Sequence, residues 1–257
     1  MLFLVGLGLE NKDISARALE VLQTCDSILI DTYTAPIFPE YISYIEEKTK
    51  RKLITADRHM LEENVKETIK DAKTKDIAIL IPGDPLVATT HHIILDSAKS
   101  LKIAYHVYHS SSIFSAAIGE SRLDIYKFGR ITTIPFWSEK YKPVSFIDVI
   151  KINLDNDEHT LLLVDVNPKT NSTMDLKTAL GLLLKAENER KHKIITESTE
   201  IFVLGDIGMK TQLILFSDIE SLLKNDYFNG KKISIIIPGK LTFAEDEATR
   251  LFRISNT

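Results

Sequence analysis

Five consecutive apolar residues, Ile77-Ala-Ile-Leu-Ile81, are closed by Pro82-Gly83. A short run with no polar alternation reads as a strand buried on both faces, and Pro82, which has no amide hydrogen for a ladder, ends it. Strands covered on both sides belong to parallel sheets flanked by helices. The surrounding pattern agrees. Leu2 to Val5 reads as a first strand, and residues 14–25 carry Ile14, Ala18, Val21, Leu22 and Cys25 at helical spacing, with Asp13 as the expected N-cap. Ser27 to Ile30 reads as a second strand ending at Asp31. Residues 39–48, 62–73 and roughly 89–100 read as helices, the last capped by Thr89 or Thr90, and Ile103 to Val107 as a further strand. The fold class expected is α/β, with a mostly parallel N-terminal sheet.

The second half changes character. Ile131 to Ile134 and Thr160 to Val166 read as strands, with a helix through Ile147 and Ile150 between them. Ser172-Thr-Met-Asp175 resembles a capping box ahead of Leu176, Leu180, Leu183 and Leu184. Ile201 to Leu204 and Lys232 to Ile237 read as strands, and Thr211 to Leu215 as an antiparallel neighbour. A second α/β domain with a mixed sheet follows, giving expected domains 1–115 and 116–257.

Composition narrows the function classes. The 257 residues carry 44% hydrophobic and 26% charged side chains and a formal net charge of −4, with Lys and Arg scattered. That argues against bare nucleic acid as the main partner. Cys25 is the only cysteine, which excludes an intrachain disulfide and a multi-cysteine zinc site and fits a reducing compartment; it reads as a small core hydrophobe. No apolar run approaches the ~20 residues that span a bilayer. The start, Met1-Leu-Phe-Leu-Val5, lacks the pattern of a secretory signal. A cytoplasmic protein without a membrane partner is expected.

In a parallel sheet ligands sit beyond the strand C-termini, where Gly6-Leu-Gly8, Asp31 and Gly83-Asp84 all fall. Gly83 lets the backbone approach a ligand and Asp84 offers a carboxylate; a ligand-free βα turn remains equally open. Ser110-Ser111-Ser112 reads either as a helix N-cap or as a set of donors for a carboxylate or ribose. Gly6-Leu-Gly8-Leu-Glu10 lacks the third glycine of a dinucleotide fingerprint, and no phosphate-binding P-loop or nucleophile elbow occurs. His91 and His92 are adjacent, so on a helix they diverge by about 100° and suit no shared metal. A reaction whose electrophile arrives already activated needs none of these. Methyl transfer from a sulfonium is one, since the protein contributes proximity and alignment.

Gly6-Leu-Gly8-Leu, Pro82-Gly-Asp-Pro-Leu-Val-Ala-Thr-Thr-His91, His109-Ser-Ser-Ser-Ile113, Ile125-Tyr-Lys-Phe-Gly129 and Ile237-Pro-Gly-Lys-Leu241 together resemble the diphthine synthase family over essentially the whole chain. This is a tetrapyrrole-methylase-like, class III branch of S-adenosylmethionine-dependent methyltransferases. The resemblance implies two α/β domains, a homodimer, and S-adenosylmethionine in the interdomain cleft, with S-adenosylhomocysteine as product and no metal. It implies N-methylation of the 3-amino-3-carboxypropyl group on a histidine of translation elongation factor 2, giving diphthine by trimethylation. The cofactor-binding positions it implies are Leu9, Gly83, Asp84, Val87, Ser112 and Ile113, with Leu163, Gly205 and Ser234 from the second domain. The Gly205-Asp-Ile-Gly208 turn departs from the Ala-Arg-Ala-Gly type of this branch. His91, His109, Asp165 and Asp206 are conceivable proton acceptors, and the catalytic base is left unassigned. Two alternatives stay open: a related methyltransferase of corrinoid or porphyrin precursors, and a non-enzymatic ligand-binding adaptor.

Overall fold

The computed structural model describes residues 1–253 except Asn11, Pro36, Phe38 and residues 168–171. The chain forms two compact units, with Met1–Ile113 as the body of the first and Phe114–Asn167 with Thr173–Thr257 as the second.

In the first unit β1 (Leu2–Gly6), β2 (Ser27–Asp31), β3 (Leu53–Ala56), β4 (Ile77–Ile81) and β5 (Tyr105–Tyr108) form one sheet in the order β3-β2-β4-β1-β5, every pairing parallel. The unbroken apolar run of β4 has the reason its sequence suggested. Ile77, Ile79 and Ile81 join a core with Val65, Ile69, Ile94 and Ala98, while Ala78 and Leu80 join another with Ala18, Leu22, Cys25 and Ile45. Each fully buried Leu or Ile contributes on the order of 1.5–3 kcal/mol of transfer free energy. Helices α1 (Ala16–Thr24) and α2 (Pro39–Thr49) belong to the second of these cores, and α3 (Val65–Ile69) and α4 (His92–Ser100) to the first.

Three local expectations are corrected. Ser15, not Asp13, caps α1, its hydroxyl accepting from the Ala18 N–H at 3.2 Å, because Asp13 turns back toward the β1 loop. The helix expected over 62–73 is broken. A π-helical turn at His59–Glu63 ends at Asn64 (φ −122°, ψ 32°), and α3 then passes into a 3₁₀ turn at Lys70–Lys73. Neither Thr89 nor Thr90 caps α4: the Thr89 hydroxyl accepts from the His91 N–H, and the Thr90 hydroxyl donates to Glu62. Strand β3 was not anticipated. It is an edge strand of four residues with Ile54 half exposed, so it lacks the apolar run that marks β4.

The second unit takes up α5 (Ile113–Ser121) at Phe114 and contains β6 (Thr132–Ile134), α6 (Ser145–Asp155), β7 (Thr160–Val164), the two-residue strand β8 (Val166–Asn167), Thr173 of the two-residue strand β9 (Ser172–Thr173), α7 (Leu176–Arg190), β10 (Glu200–Gly205), β11 (Leu213–Asp218), α8 (Ile219–Lys224), β12 (Ile233–Ile237) and α9 (Phe243–Thr249). Its five-stranded sheet runs β11-β10-β12-β7-β6 and is mixed, with β6 and β7 parallel and the other pairings antiparallel. Ser172 lies in a strand and does not cap α7. Asp175 does, accepting from the Thr178 N–H at 2.9 Å.

Candidate functional site

All strands of the first sheet point one way, so β4, β1 and β5, neighbours in that order, release their loops at one edge. The loops are stitched together by backbone. The Gly8 N–H donates to the Gly83 carbonyl at 3.1 Å and the Gly83 N–H to the Gly8 carbonyl at 3.0 Å. Both glycines have positive φ, 75° and 69°, which side chains disfavour. A Cβ on Gly6 would lie 2.8 Å from the Gly83 carbonyl oxygen and 2.9 Å from the Ser110 Cβ, so that position is closed by packing. Among the described residues a Cβ on Gly83 would meet only the Ser111 carbonyl, at 4.0 Å, so this face of the turn has open space for a ligand.

Two carboxylates lock the three loops. Asp84, only 7% exposed, accepts from the Leu86 N–H (3.0 Å) on Oδ1, and from the Ser110 N–H (3.3 Å) and His109 Nδ1 (2.8 Å) on Oδ2. Asp13 accepts from the Leu9 and Glu10 N–H groups (3.0 and 3.2 Å) and from the Ser111 hydroxyl (2.9 Å), while that hydroxyl oxygen also accepts from the Leu9 N–H at 3.2 Å. Charge-assisted bonds of this kind are among the stronger ones a loop can use. Asp13 is a site residue that sequence reasoning missed. The available signal was Asp13-Ile-Ser15, in which only one side chain can cap the helix.

A second buried network lies beside this edge. Asp31 and His91 are both fully buried, with His91 Nε2 3.3 Å from Asp31 Oδ2 and Nδ1 2.7 Å from the Thr89 hydroxyl. Asp31 also accepts from the N–H groups of Tyr33 and Thr34 and from the Thr34 hydroxyl. Burial raises the Asp31 carboxyl above its usual range, opposed by the Thr34 hydroxyl and His91, and burial lowers the His91 imidazole, opposed by Asp31. Asp31 is thereby a bracket for the β2 loop, with no exposed oxygen for a ribose.

The comparisons with known proteins now decide between readings. A protein-family profile described as Tetrapyrrole (Corrin/Porphyrin) Methylases matches residues 1–223. A diphthine synthase from Methanococcus maripaludis is 36% identical over 251 residues, covering 97% of this chain and 98% of the relative. A diphthine methyl ester synthase from Bos taurus is 34% identical over 274 residues, covering 99% and 95%. A crystal structure of diphthine synthase superposes with a TM-score of 0.87 at 30% identity, covering 98% of this chain and 95% of that one. The chain belongs to the diphthine synthase family. Membership carries an enzymatic, S-adenosylmethionine-dependent methyl transfer with it, and the adaptor alternative falls away.

The positions that the family resemblance implied fall into two groups. In the first unit Leu9, Gly83, Asp84, Val87, Ser112 and Ile113 all lie on the three stitched loops or at the start of α5. In the second, Leu163 on β7 and Ser234 on β12 are register partners, Ser234 also faces Leu204 on β10, and Gly205 follows in the next row. Gly205 is tightly enclosed, since a Cβ there would lie 2.8 Å from the Phe228 ring. In the adjoining turn Asp206 binds Lys231 Nζ (3.1 Å), the Thr211 hydroxyl (2.8 Å) and the Lys232 N–H (2.9 Å). Burial holds the Lys232 ammonium down to about 8, with Asp206 pulling the other way. No group of three His, Cys, Asp or Glu side chains suited to a metal occurs among the described residues.

Proposed function

We propose that this chain binds S-adenosylmethionine through the loops after β1, β4 and β5. It transfers methyl groups to the amino group of the 3-amino-3-carboxypropyl side chain carried by a histidine of translation elongation factor 2, three times, to form diphthine. The observation that carries the reading is end-to-end similarity to proteins named for this product, at 34–38% identity, joined to a loop cradle with an open face at Gly83. Leu9, Gly83, Asp84, Val87, Ser112 and Ile113 hold the donor, and the family resemblance assigns donor contacts to Leu163, Gly205 and Ser234 as well. The buried Asp84 suits a cationic sulfonium. When bound, the donor supplies a methyl carbon already activated by positive sulfur. The chain holds that carbon in line with the amine, and such alignment is worth about 7–11 kcal/mol in favourable cases. No metal is needed. A homodimer in the cytoplasm belongs to this proposal on the strength of family membership.

The relatives include both a synthase and a methyl ester synthase, so product stoichiometry is the informative readout. Incubation with labelled donor and factor 2 bearing the unmethylated side chain is expected to give three mass increments of one CH2 each. A fourth increment, removed by mild base, would move the assignment to the ester-forming type. Transfer to a porphyrin precursor with none to factor 2 would overturn it.

A further inference from the structure

We propose that His109 is the proton acceptor for the substrate amine, with Asp84 as its orienting carboxylate. This rests on the function proposed above, in which the acceptor is an amine. An alkyl ammonium has no lone pair and cannot attack carbon, and at neutral pH it is the dominant form. Each N-methylation therefore needs one proton removed.

The geometry separates His109 from the other candidates. His91 is fully buried and both its nitrogens are engaged, by Thr89 and by Asp31. Asp165 accepts from the Phe136 N–H on one oxygen and the Val166 N–H on the other. Asp206 is held by Lys231, Thr211 and the Lys232 N–H. His109 differs from all three. Its side chain is 66% exposed, and its Nδ1 lies 2.8 Å from Oδ2 of Asp84, which is 7% exposed. A carboxylate only accepts, so Nδ1 carries the hydrogen, and the neutral ring then has its lone pair on Nε2. Nε2 has no protein partner among the described residues. Asp84 is the charged group bonded to this ring; Asp13, the other carboxylate of the loop cluster, faces Leu9, Glu10 and Ser111 instead. The dyad thus stands on the same loops as the donor cradle, with a basic nitrogen turned outward and a carboxylate behind it to stabilise the imidazolium.

The step balances. The substrate ammonium gives a proton to Nε2, leaving the amine lone pair free and the ring cationic against Asp84. The lone pair forms the new N–C bond as the S–C bond breaks, and sulfur keeps that electron pair as a neutral thioether. The exposed ring then returns its proton to water. The methylated nitrogen is again an ammonium with one hydrogen fewer, so the cycle serves the second and third transfers. It has no role afterwards, because a quaternary nitrogen carries no proton.

The test uses the full chain with labelled S-adenosylmethionine and factor 2 bearing the unmethylated side chain. His109→Ala is expected to lower kcat by about a hundredfold or more at neutral pH. S-adenosylhomocysteine affinity measured by calorimetry stays within a few-fold. Added imidazole restores turnover, whereas pyrazole, a far weaker base, does not. His109→Gln, which keeps a donor for Asp84, shows the same loss, and in both variants the dependence of kcat on pH shifts toward alkaline conditions. Wild-type turnover and pH profile in His109→Ala would overturn the proposal. So would a loss that follows S-adenosylhomocysteine affinity and ignores imidazole, since that marks a loop-holding role. A wild-type chain that methylates no factor 2 would instead overturn the functional assignment beneath it.

Discussion

Single side chains at the strand edge decide whether the loops are preorganised. Asp13 joins the β1 loop to Ser111, and Asp13→Ala removes an acceptor for two backbone N–H groups and one hydroxyl. A hydrogen bond to a charged group contributes about 1.5–3 kcal/mol, and part of that is regained from water at this exposed position. S-adenosylhomocysteine affinity is therefore expected to fall about tenfold with little change in melting temperature, which calorimetry and a thermal melt would show. Glycines give a sharper contrast. At Gly8, φ is +75° and a Cβ would sit 2.2 Å from the Asp13 Cβ, so Gly8→Ala is expected to destabilise the chain by more than about 2 kcal/mol. At Gly119, within α5, a Cβ would meet nothing within 4 Å among the described residues beyond its own helix, and Gly119→Ala is expected to stabilise by up to about 1 kcal/mol in denaturant titration. At this scale Gly6 and Gly83 were readable as constrained backbone positions, because glycines are few and both stand at strand ends. The role of Asp13 was not, because it depends on a serine nearly a hundred residues away.

At the level of elements, the second unit is tied by a buried carboxylate at the start of α9. Glu245 completes a capping box with Thr242 and also binds Lys127 Nζ (2.8 Å), His159 Nε2 (2.9 Å) and the Asp124 N–H (3.0 Å). One side chain so joins the segment 124–127, the turn before β7 and α9. Burial raises its carboxyl, but Lys127, the Thr242 and Asp124 N–H groups and His159 outweigh this and hold it well below the carboxylate range. Burial also lowers the His159 imidazole. Both shifts have the same sign for stability. The unfolded chain binds protons that the native chain refuses, at His159 below about pH 6.5 and at Glu245 below about pH 4.5. Unfolding free energy is thus expected to fall in two stages on acidification. Glu245→Gln flattens the lower stage and costs about 2–4 kcal/mol at neutral pH, measurable by urea titration across pH. Element legibility followed burial: β4, fully apolar, and β12, fully buried with Ser234 its one polar residue, were plain, whereas the edge strand β3 and the break at Asn64 carried no such signal.

For the whole molecule, the alternation of short apolar strands with amphipathic helices foretold two α/β sheets, the first parallel and the second mixed. Strand order was beyond the sequence, because pairing β4 between β2 and β1 is a long-range choice that local pattern does not encode. Function became legible only when scattered motifs were taken jointly, since the Gly-Asp-Pro turn alone describes many βα loops. One consequence concerns Cys25. It is wholly enclosed at the C-terminal end of α1, its thiol pushed up to about 11 by burial with Asp76 adding to the effect, so almost no thiolate exists at neutral pH. The sole sulfhydryl is therefore a silent clock for opening of the first unit: a maleimide can mark it only after that core comes apart. Saturating S-adenosylhomocysteine is expected to slow the marking, by about a hundredfold at one hundred times its Kd where opening precedes capture and abolishes binding. Unchanged marking would mean that the cofactor's grip leaves that core's breathing untouched.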